Sequence, residues 1–139
     1  MAWYQNDINE KLCAAMREDR EAHQWMTDNG YRELAEFCHA INGDEKSFQW
    51  LLHNGHPDLA AVVDCMTGND HAKKWLLVNG YRELAAFVDA SEGAQPAISF
   101  LLQIKEYGLV DLAKIIFQQN QKQEKNFFKS IINFGNPFR

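Results

Sequence analysis

Histidine and cysteine are the side chains of this sequence whose types and spacing could support a metal site. His53 and His56 are separated by two intervening residues, a spacing compatible with zinc ligands. They flank an Asn-Gly step, however, which predicts that a helix ends between them. Cys13, Cys38 and Cys65 show no CxxC spacing and fall at positions predicted to be buried. We therefore predict neither a bound metal nor a cofactor.

Catalytic motifs are the second kind of chemistry that the sequence could encode. None of the four serines lies in a Gly-x-Ser-x-Gly turn, and the sequence has no glycine-rich phosphate-binding loop. Acidic residues are numerous, but those at recurrent positions fit the first turns of helices, where a carboxylate complements the helix dipole. Because no nucleophile is paired with a base, we predict no catalytic residues and a protein that is not an enzyme.

Charge divides the chain into an acidic body and a basic end. Residues 1–117 carry ten basic and eighteen acidic side chains, whereas residues 118–139 carry four basic and one acidic. An acidic body repels phosphate backbones, so its charge disfavours nucleic acid as a partner. The basic side chains Lys122, Lys125, Lys129 and Arg139 leave one alternative open, a nucleic-acid-binding helical repeat that uses its C-terminal helix.

Composition predicts an ordinary globular protein without a membrane segment. Hydrophobic residues make up 46% of the chain and charged residues 24%, which argues against both global disorder and a membrane span. No window is long and apolar enough to predict a spanning helix. The first ten residues lack the apolar stretch of a secretory signal, so we expect no membrane contact.

A repeat of 25 residues organises the chain. Three segments align without gaps: WMTDNGYRELAEF from Trp25, WLLHNGHPDLAAV from Trp50 and WLLVNGYRELAAF from Trp75. A fourth copy begins in phase at Phe100, but Gly108 lies 28 residues after Gly80, which predicts an insertion of three residues. Ankyrin and tetratricopeptide repeats have longer periods of about 33 and 34 residues, so neither family is assigned.

Each unit is predicted to form two short helices. Asp19, Asp44 and Asn69 recur every 25 residues and can cap the first helix, because their side chains accept backbone N–H groups. The Asn-Gly step ends this helix, since glycine readily adopts the left-handed conformation. Apolar residues at helical spacing supply the buried side of the second helix. The row of Trp25, Trp50, Trp75 and Phe100 is predicted to lie in the core.

The predicted fold is all-α, without a β-sheet. It is an α-solenoid of short helical hairpins, about ten helices in all, with a capping helix at each end. The predicted boundaries are 1–18 for the N-terminal capping helix, 19–43, 44–68, 69–93 and 94–120 for the repeats, and 121–139 for the C-terminal capping helix and tail.

The cysteines also bear on the compartment. Cys13 and Cys38 stand where Val63 and Val88 stand in later units, which predicts small, buried and unreactive thiols. Three cysteines without paired spacing are typical of free thiols in a reducing compartment. We therefore expect a cytoplasmic protein.

Tyr31, His56 and Tyr81 stand at the predicted starts of the second helices. A capping Ser, Thr, Asp or Asn would stabilise the helix there by about 1 kcal/mol more. Two explanations of these aromatic residues stay open. Either the rings pack between adjacent hairpins, or they form an aromatic edge that grips a partner.

Function is predicted from the architecture and from the lack of catalytic motifs. We expect a non-enzymatic protein–protein interaction module, a helical-repeat adaptor or inhibitor-like binder, whose partner is another protein. The predicted binding surface is the outward row of the second helices, because tyrosine and arginine are enriched at binding hot spots. The candidate partner-binding residues are Tyr31, Arg32, Glu36, His39, His56, Asp64, Tyr81, Arg82 and Asp89. The alternatives are that this row is only the solvated side of each helix, or that the first helices carry the binding surface.

Overall fold

The computed structural model describes the backbone of residues 3–134 and the side chains of residues 3–125. Within this range the chain forms nine α-helices and no strand, which confirms the all-α class. The helices are α1 (Asn6–Met16), α2 (Arg20–Asp28), α3 (Arg32–Ile41), α4 (Glu45–His53), α5 (Pro57–Met66), α6 (Asp70–Val78), α7 (Arg82–Ser91), α8 (Gln95–Gln103) and α9 (Tyr107–Phe134).

The helices are separated by residues with positive φ that recur at alternating intervals of 12 and 13 residues. Most of these residues are glycines, which adopt the left-handed conformation without the steric cost of a Cβ. Each one stops a helix and allows the chain to turn into the next. They are Glu18, Gly30, Gly43, Gly55, Gly68, Gly80, Gly93 and Lys105, with φ between 63° and 98°.

Lys105 shows that the predicted insertion in the fourth unit is wrong. It lies 25 residues after Gly80 and adopts the same left-handed conformation, with φ of 63°. Gly108 lies instead in the first turn of α9. Leu109, and not Leu112, is therefore the counterpart of Leu84. The fourth copy keeps the period because a lysine takes the turn conformation that glycine takes elsewhere.

The last helix also differs from the prediction. α9 is one continuous helix of 28 residues, whereas the sequence predicted a separate capping helix from residue 121. Gln118 stands where Gly43, Gly68 and Gly93 end the second helices of the other units. Because α9 continues through this position, the described chain has nine helices instead of about ten.

The predicted N-caps of the first helices are confirmed. Asp44 Oδ1 accepts hydrogen bonds from the backbone N–H groups of Lys46 and Ser47, at 2.9 and 3.2 Å. Asp19 caps α2 with two equivalent bonds, and Asn69 caps α6 with one. These bonds satisfy backbone donors that a helix start otherwise leaves without partners.

Odd-numbered and even-numbered helices form two layers. We call α1, α3, α5, α7 and α9 the inner helices, and α2, α4, α6 and α8 the outer helices. Each outer helix packs against the inner helix before it and the inner helix after it. In the described part of the chain, the outer helices do not contact one another, so the inner helices connect the units.

The inner helices close into a ring. Each contacts the next, and α9 also contacts α1. Gln119 Nε2 donates a hydrogen bond to Met16 O at 2.7 Å, and Asn9 Nδ2 donates one to Gly108 O at 3.1 Å. The contacts between neighbouring helices are thus consistent with the predicted repeat arrangement. The predicted solenoid is not confirmed, because in an extended solenoid each repeat contacts only its neighbours.

The core of the ring is formed by equivalent side chains from every unit. Inner helices contribute one fully buried residue each at a spacing of 25, namely Leu12, Phe37, Val62, Phe87 and Leu112. Outer helices contribute the residue after the aromatic position, namely Met26, Leu51, Leu76 and Leu101, which are also fully buried.

The tryptophans lie on the flank of the ring and not in its core, contrary to the prediction. Trp25, Trp50 and Phe100 are half-buried, and Trp75 is 37% exposed. Successive residues of a helix point about 100° apart. The residue after each aromatic residue, such as the fully buried Leu76, points into the core. The aromatic side chain before it therefore lies at the edge of the core.

Candidate interaction site

The aromatic residues at the starts of α3, α5 and α7 stack on the tryptophan of their own hairpin. Each of them is the N-cap residue of its helix and makes no side-chain capping bond. The planes of the paired rings differ by 7 to 14°. Centroids are 6.1 Å apart in Trp25–Tyr31, 5.9 Å in Trp50–His56 and 5.8 Å in Trp75–Tyr81. These aromatic rings therefore pack inside their own hairpins, and not between adjacent hairpins as one explanation predicted. Stacked rings of this kind do not form the free aromatic edge of the other explanation.

Arg32 and Arg82, the first residues of α3 and α7, each contact an aromatic ring on the outer helix that follows. Arg32 Cζ lies 4.5 Å from the ring centroid of Trp50, and Arg82 Cζ lies 5.3 Å from that of Phe100. Both distances are typical of cation–π interactions. Arg32 Nε also lies 3.5 Å from Glu36 Oε1. These predicted partner-binding residues thus make contacts between neighbouring units.

His39, Asp64 and Asp89 share one repeat position near the ends of α3, α5 and α7, but their surroundings differ. The His39 ring centroid lies 4.4 Å from that of His23. Asp89 Oδ1 lies 2.6 Å from Lys73 Nζ, and this hydrogen bond raises the pKa of Lys73. Asp64 lines a surface pocket instead.

The structure does not gather the predicted residues into one cluster. They are distributed over α3, α5 and α7, and the described contacts of most of them run to a neighbouring helix. Only residues close in sequence come together, such as Arg32 and Glu36. Partner binding by this row therefore stays a prediction.

A row of exposed apolar residues, none of which belongs to the predicted binding surface, follows the outer helices. Leu52, Leu77 and Leu102 hold the same position in α4, α6 and α8 and are 43%, 50% and 46% exposed. Val78 is 75% exposed. We call these four residues the outer apolar row. The three leucines recur at one repeat position, and exposed apolar side chains mark interaction surfaces where they form a contiguous patch, whereas scattered ones are ordinary.

The run Trp-Leu-Leu at the ends of α4 and α6 could have revealed this row. Three successive helical residues spread over about 200° around the axis, so they cannot all face the core. Leu76 is fully buried, so Leu77 points toward solvent. If the tryptophan is predicted to be buried, this pattern gives no reason to expect the second leucine to be exposed.

A pocket of about 310 Å³ lies beside this row, among α4, α5 and α6. The Trp75 ring forms one of its walls. The other walls are mainly apolar, and the polar residues of the lining are Asp64, Asn69 and His71, of which Asp64 adds a carboxylate. The lining residues that matter here are Phe48, Leu52, Pro57, Ala61, Asp64 and Trp75.

A larger groove of about 580 Å³ lies between α1 and α9. The other pairs of neighbouring inner helices have an outer helix packed against both, but in the described part of the chain this pair has none. Glu10 and Asp111 in its lining are balanced by Arg17 and Lys114. This mixture of charges favours neither an anionic nor a cationic ligand.

Cys13, Cys38 and Cys65 are free and buried. Burial raises the pKa of the Cys13 thiol to about 11 and that of Cys38 to about 12. The thiolate is the nucleophilic form of cysteine, so these thiols are poorly reactive at neutral pH. The buried positions predicted for Cys13 and Cys38 are confirmed.

We expect the native protein to react with a chromogenic thiol reagent at pH 8 at least about tenfold more slowly than the urea-unfolded chain. The folded state holds the Cys38 proton more tightly than the unfolded chain, whose thiol pKa is near 9.0. Stability from this site is therefore constant below pH 9 and declines as the pH rises toward about 12. Equally fast labelling of Cys38 before and after unfolding would contradict this expectation.

The histidines considered for zinc do not form a joint site. His53 Nε2 lies 3.1 Å from Gln49 Oε1, whereas His56 stacks on Trp50. Within the described residues, no group of three or more His, Cys, Asp and Glu side chains is placed to hold a metal ion.

The basic segment is described only in part. Lys122 and Lys125 are exposed on α9, while the side chains of Lys129 and Arg139 lie outside the described residues. None of the helices, as far as the structure describes them, has the length and apolarity needed to cross a membrane.

Three kinds of comparison bear on whether the chain belongs to a known family. Comparison with models of protein families, with curated proteins and with solved structures finds no match.

Proposed function

We propose that this protein is a non-enzymatic protein-interaction module, an adaptor or inhibitor-like binder, that holds a partner protein on its outer helices. The observation that carries the proposal is the outer apolar row. Leu52, Leu77 and Leu102 repeat at one position of three successive outer helices, with about half of each side chain exposed. A partner that covered this row would remove apolar surface from water along three units.

Covering this row would contribute part of the binding free energy of a specific complex. Fully burying an exposed leucine or valine contributes about 1.5–3 kcal/mol, so covering half-exposed side chains contributes roughly 1 kcal/mol each. Together with Val78, which is 75% exposed, the row can supply roughly 4 kcal/mol, which is several hundredfold in affinity at about 1.4 kcal/mol per tenfold.

The surface predicted from sequence, the outward row of α3, α5 and α7, is here called the inner-helix row, and it is less suited to be the main contact surface. Arg32 and Arg82 already lie on aromatic rings of the neighbouring units. Asp89 is engaged by Lys73. A partner that used these side chains would have to replace existing contacts, whereas the outer apolar row offers surface that only solvent covers.

We place this module in the cytoplasm. The support is the state of the cysteines, because all three are free and buried, as is usual where thiols are kept reduced.

The proposal is tested by affinity capture from a native cytosolic extract, with quantitative mass spectrometry. The wild-type chain is compared with the double variant Leu77→Ser, Val78→Ser. We expect one or a few proteins to be retained by the wild type and reduced at least about tenfold by the variant. A matched control is Gln49→Ser, an exposed residue of α4 outside the row, which should retain the same proteins. Titration of the purified partner then gives the affinities.

Two outcomes would contradict the proposal. If Tyr81→Ala with Arg82→Ala abolishes retention while the row variant does not, the binding surface is the inner-helix row. Retention on a heparin column in moderate salt, lost on removal of residues 121–139, would favour nucleic acid as the partner.

A further inference from the structure

The repeat contains its own arginine-binding contact. The first residue of α3, Arg32, lies over Trp50 of α4, and the first residue of α7, Arg82, lies over Phe100 of α8. In both cases the cation belongs to one unit and the ring to the next. The chain therefore contains two examples of a guanidinium group held over an aromatic residue of an outer helix.

One unit has the ring but lacks the arginine. Pro57 stands at the start of α5, at the position of Arg32 and Arg82, and the ring on the following outer helix is Trp75. Ala61 stands where Glu36 pairs with Arg32 in α3. Two short side chains thus replace an ion pair, and the pocket of about 310 Å³ lies where that pair would be.

The Trp75 ring is correspondingly open. It is 37% exposed and lines the pocket, whereas Trp50 has the Arg32 guanidinium over its ring. Tyr81 stacks on Trp75 from its own hairpin, as Tyr31 does on Trp25. Among the described residues, no cation of the preceding unit lies over the Trp75 ring, as Arg32 lies over Trp50.

Asp64 gives the pocket a carboxylate. The equivalent residue of the next unit, Asp89, is paired with Lys73, but the position of Lys73 is occupied by Phe48 in α4. In the described part of the chain, Asp64 forms no ion pair. An aromatic face, apolar walls and an acidic group are the features that recognise a guanidinium, which is planar and weakly hydrated.

We propose that this pocket binds an arginine side chain of a partner protein, with the guanidinium over Trp75 and paired with Asp64. The proposal rests on the proposed function, since the pocket adjoins Leu52 of the outer apolar row. The partner segment carries an arginine next to apolar residues that cover the row. The acidic body, with ten basic against eighteen acidic side chains in residues 1–117, attracts such a basic segment.

The test uses a short probe, the blocked peptide acetyl-Leu-Arg-Leu-amide, and its analogue with citrulline in place of arginine. Citrulline keeps the shape of the side chain and removes the charge. Binding is followed by the NMR signal of the Trp75 indole N–H in the full chain. We expect saturable shifts with the arginine peptide and an affinity at least about fivefold lower for the citrulline peptide.

A pair of substitutions is designed to occupy the pocket with side chains of the protein itself. Pro57→Arg with Ala61→Glu introduces the side chains that α3 has at these positions, and it should abolish the shifts while the fold is kept. Asp64→Asn should weaken binding at least about fivefold. The control Gln49→Ala, on the exposed side of α4, should bind like the wild type.

The proposal is wrong if Trp75 does not respond to the arginine peptide, or if both peptides bind equally. It is also wrong if the self-filling variant binds as well as the wild type. These results are distinct from failure of the proposed function. If a protein is captured through the outer apolar row but the Trp75 signal does not shift with the arginine peptide, the proposed function is supported. Only the proposed arginine site is then wrong.

Discussion

Truncation of Phe87 to alanine is expected to lower the free energy of unfolding by about 3–5 kcal/mol. Phe87 is fully buried among equivalent side chains of the other inner helices, so its removal leaves a cavity in the ring core. A domain of this size has a total stability of roughly 5–15 kcal/mol. Chemical denaturation followed by far-ultraviolet circular dichroism measures the loss.

The matched control is Leu77→Ala, in the outer apolar row. Because half of this side chain is already in water, the substitution should change stability by less than about 1 kcal/mol. Trp50→Ala should fall between these values, since Trp50 is half-buried and touches Arg32. If Trp50→Ala destabilised the protein more than Phe87→Ala, the tryptophans would be the core after all.

The repeat and its capping residues could be predicted because they depend on local chemistry. Asp19, Asp44 and Asn69 cap the helices in the structure, as expected from side chains that compete for backbone N–H groups. A turn is harder to predict from the sequence where the residue with positive φ is not a glycine. Gly108 suggested a shifted repeat, but Lys105 makes the turn with φ of 63°.

Closure of the ring could not be predicted from periodicity. It depends on contacts such as that between Asn9 and Gly108, which are 99 residues apart in sequence. A pattern that repeats along the chain specifies how neighbours pack, but it does not specify how far the array curves. The signs of closure are departures from the repeat, which resemble ordinary variation until the two ends are seen in contact.

The candidate site was only partly predictable for a related reason. Arginine was identified as a plausible contact residue, and Arg32 and Arg82 do make contacts, but these lie within the chain. The informative position is Pro57, where the repeat omits the arginine. Its meaning depends on knowing which ring the arginine covers, and only the three-dimensional arrangement supplies that.

The junction of α1 and α9 is held by two residues that break the repeat. Asn9 is buried at the position held by leucine in the other inner helices. Its Oδ1 accepts a hydrogen bond from Trp3 Nε1 at 2.8 Å, and its Nδ2 donates one to Gly108 O at 3.1 Å. Gly108 stands where other units have a glutamate or aspartate, namely Glu33, Asp58 and Glu83.

Substitution Gly108→Glu, which introduces the residue type of the other units, is expected to destabilise the protein by about 1–3 kcal/mol. A Cβ at residue 108 would lie 3.1 Å from Asn9 Cγ and 3.4 Å from Trp3 Cδ1. Asn9 cannot move away without weakening its hydrogen bonds to Trp3 and Gly108. Amide hydrogen exchange should show loss of protection in α1 while α5 keeps its own, because the strain is confined to the junction.

A double-mutant cycle with Asn9→Ala separates this clash from a general loss of stability. Asn9→Ala alone should cost about 1–3 kcal/mol, because it removes the hydrogen-bond partner of the Trp3 N–H and the hydrogen bond between α1 and the Gly108 carbonyl. In the combined variant the clash with the Asn9 side chain is absent. The loss of stability in the double variant should therefore be roughly 1 kcal/mol smaller than the sum of the losses in the two single variants. Asp58→Glu, at the equivalent position of α5, is the neutral control. Strict additivity, or a Gly108→Glu variant with α1 fully protected, would show that the ring is closed by other contacts, such as the hydrogen bond from Gln119 to Met16.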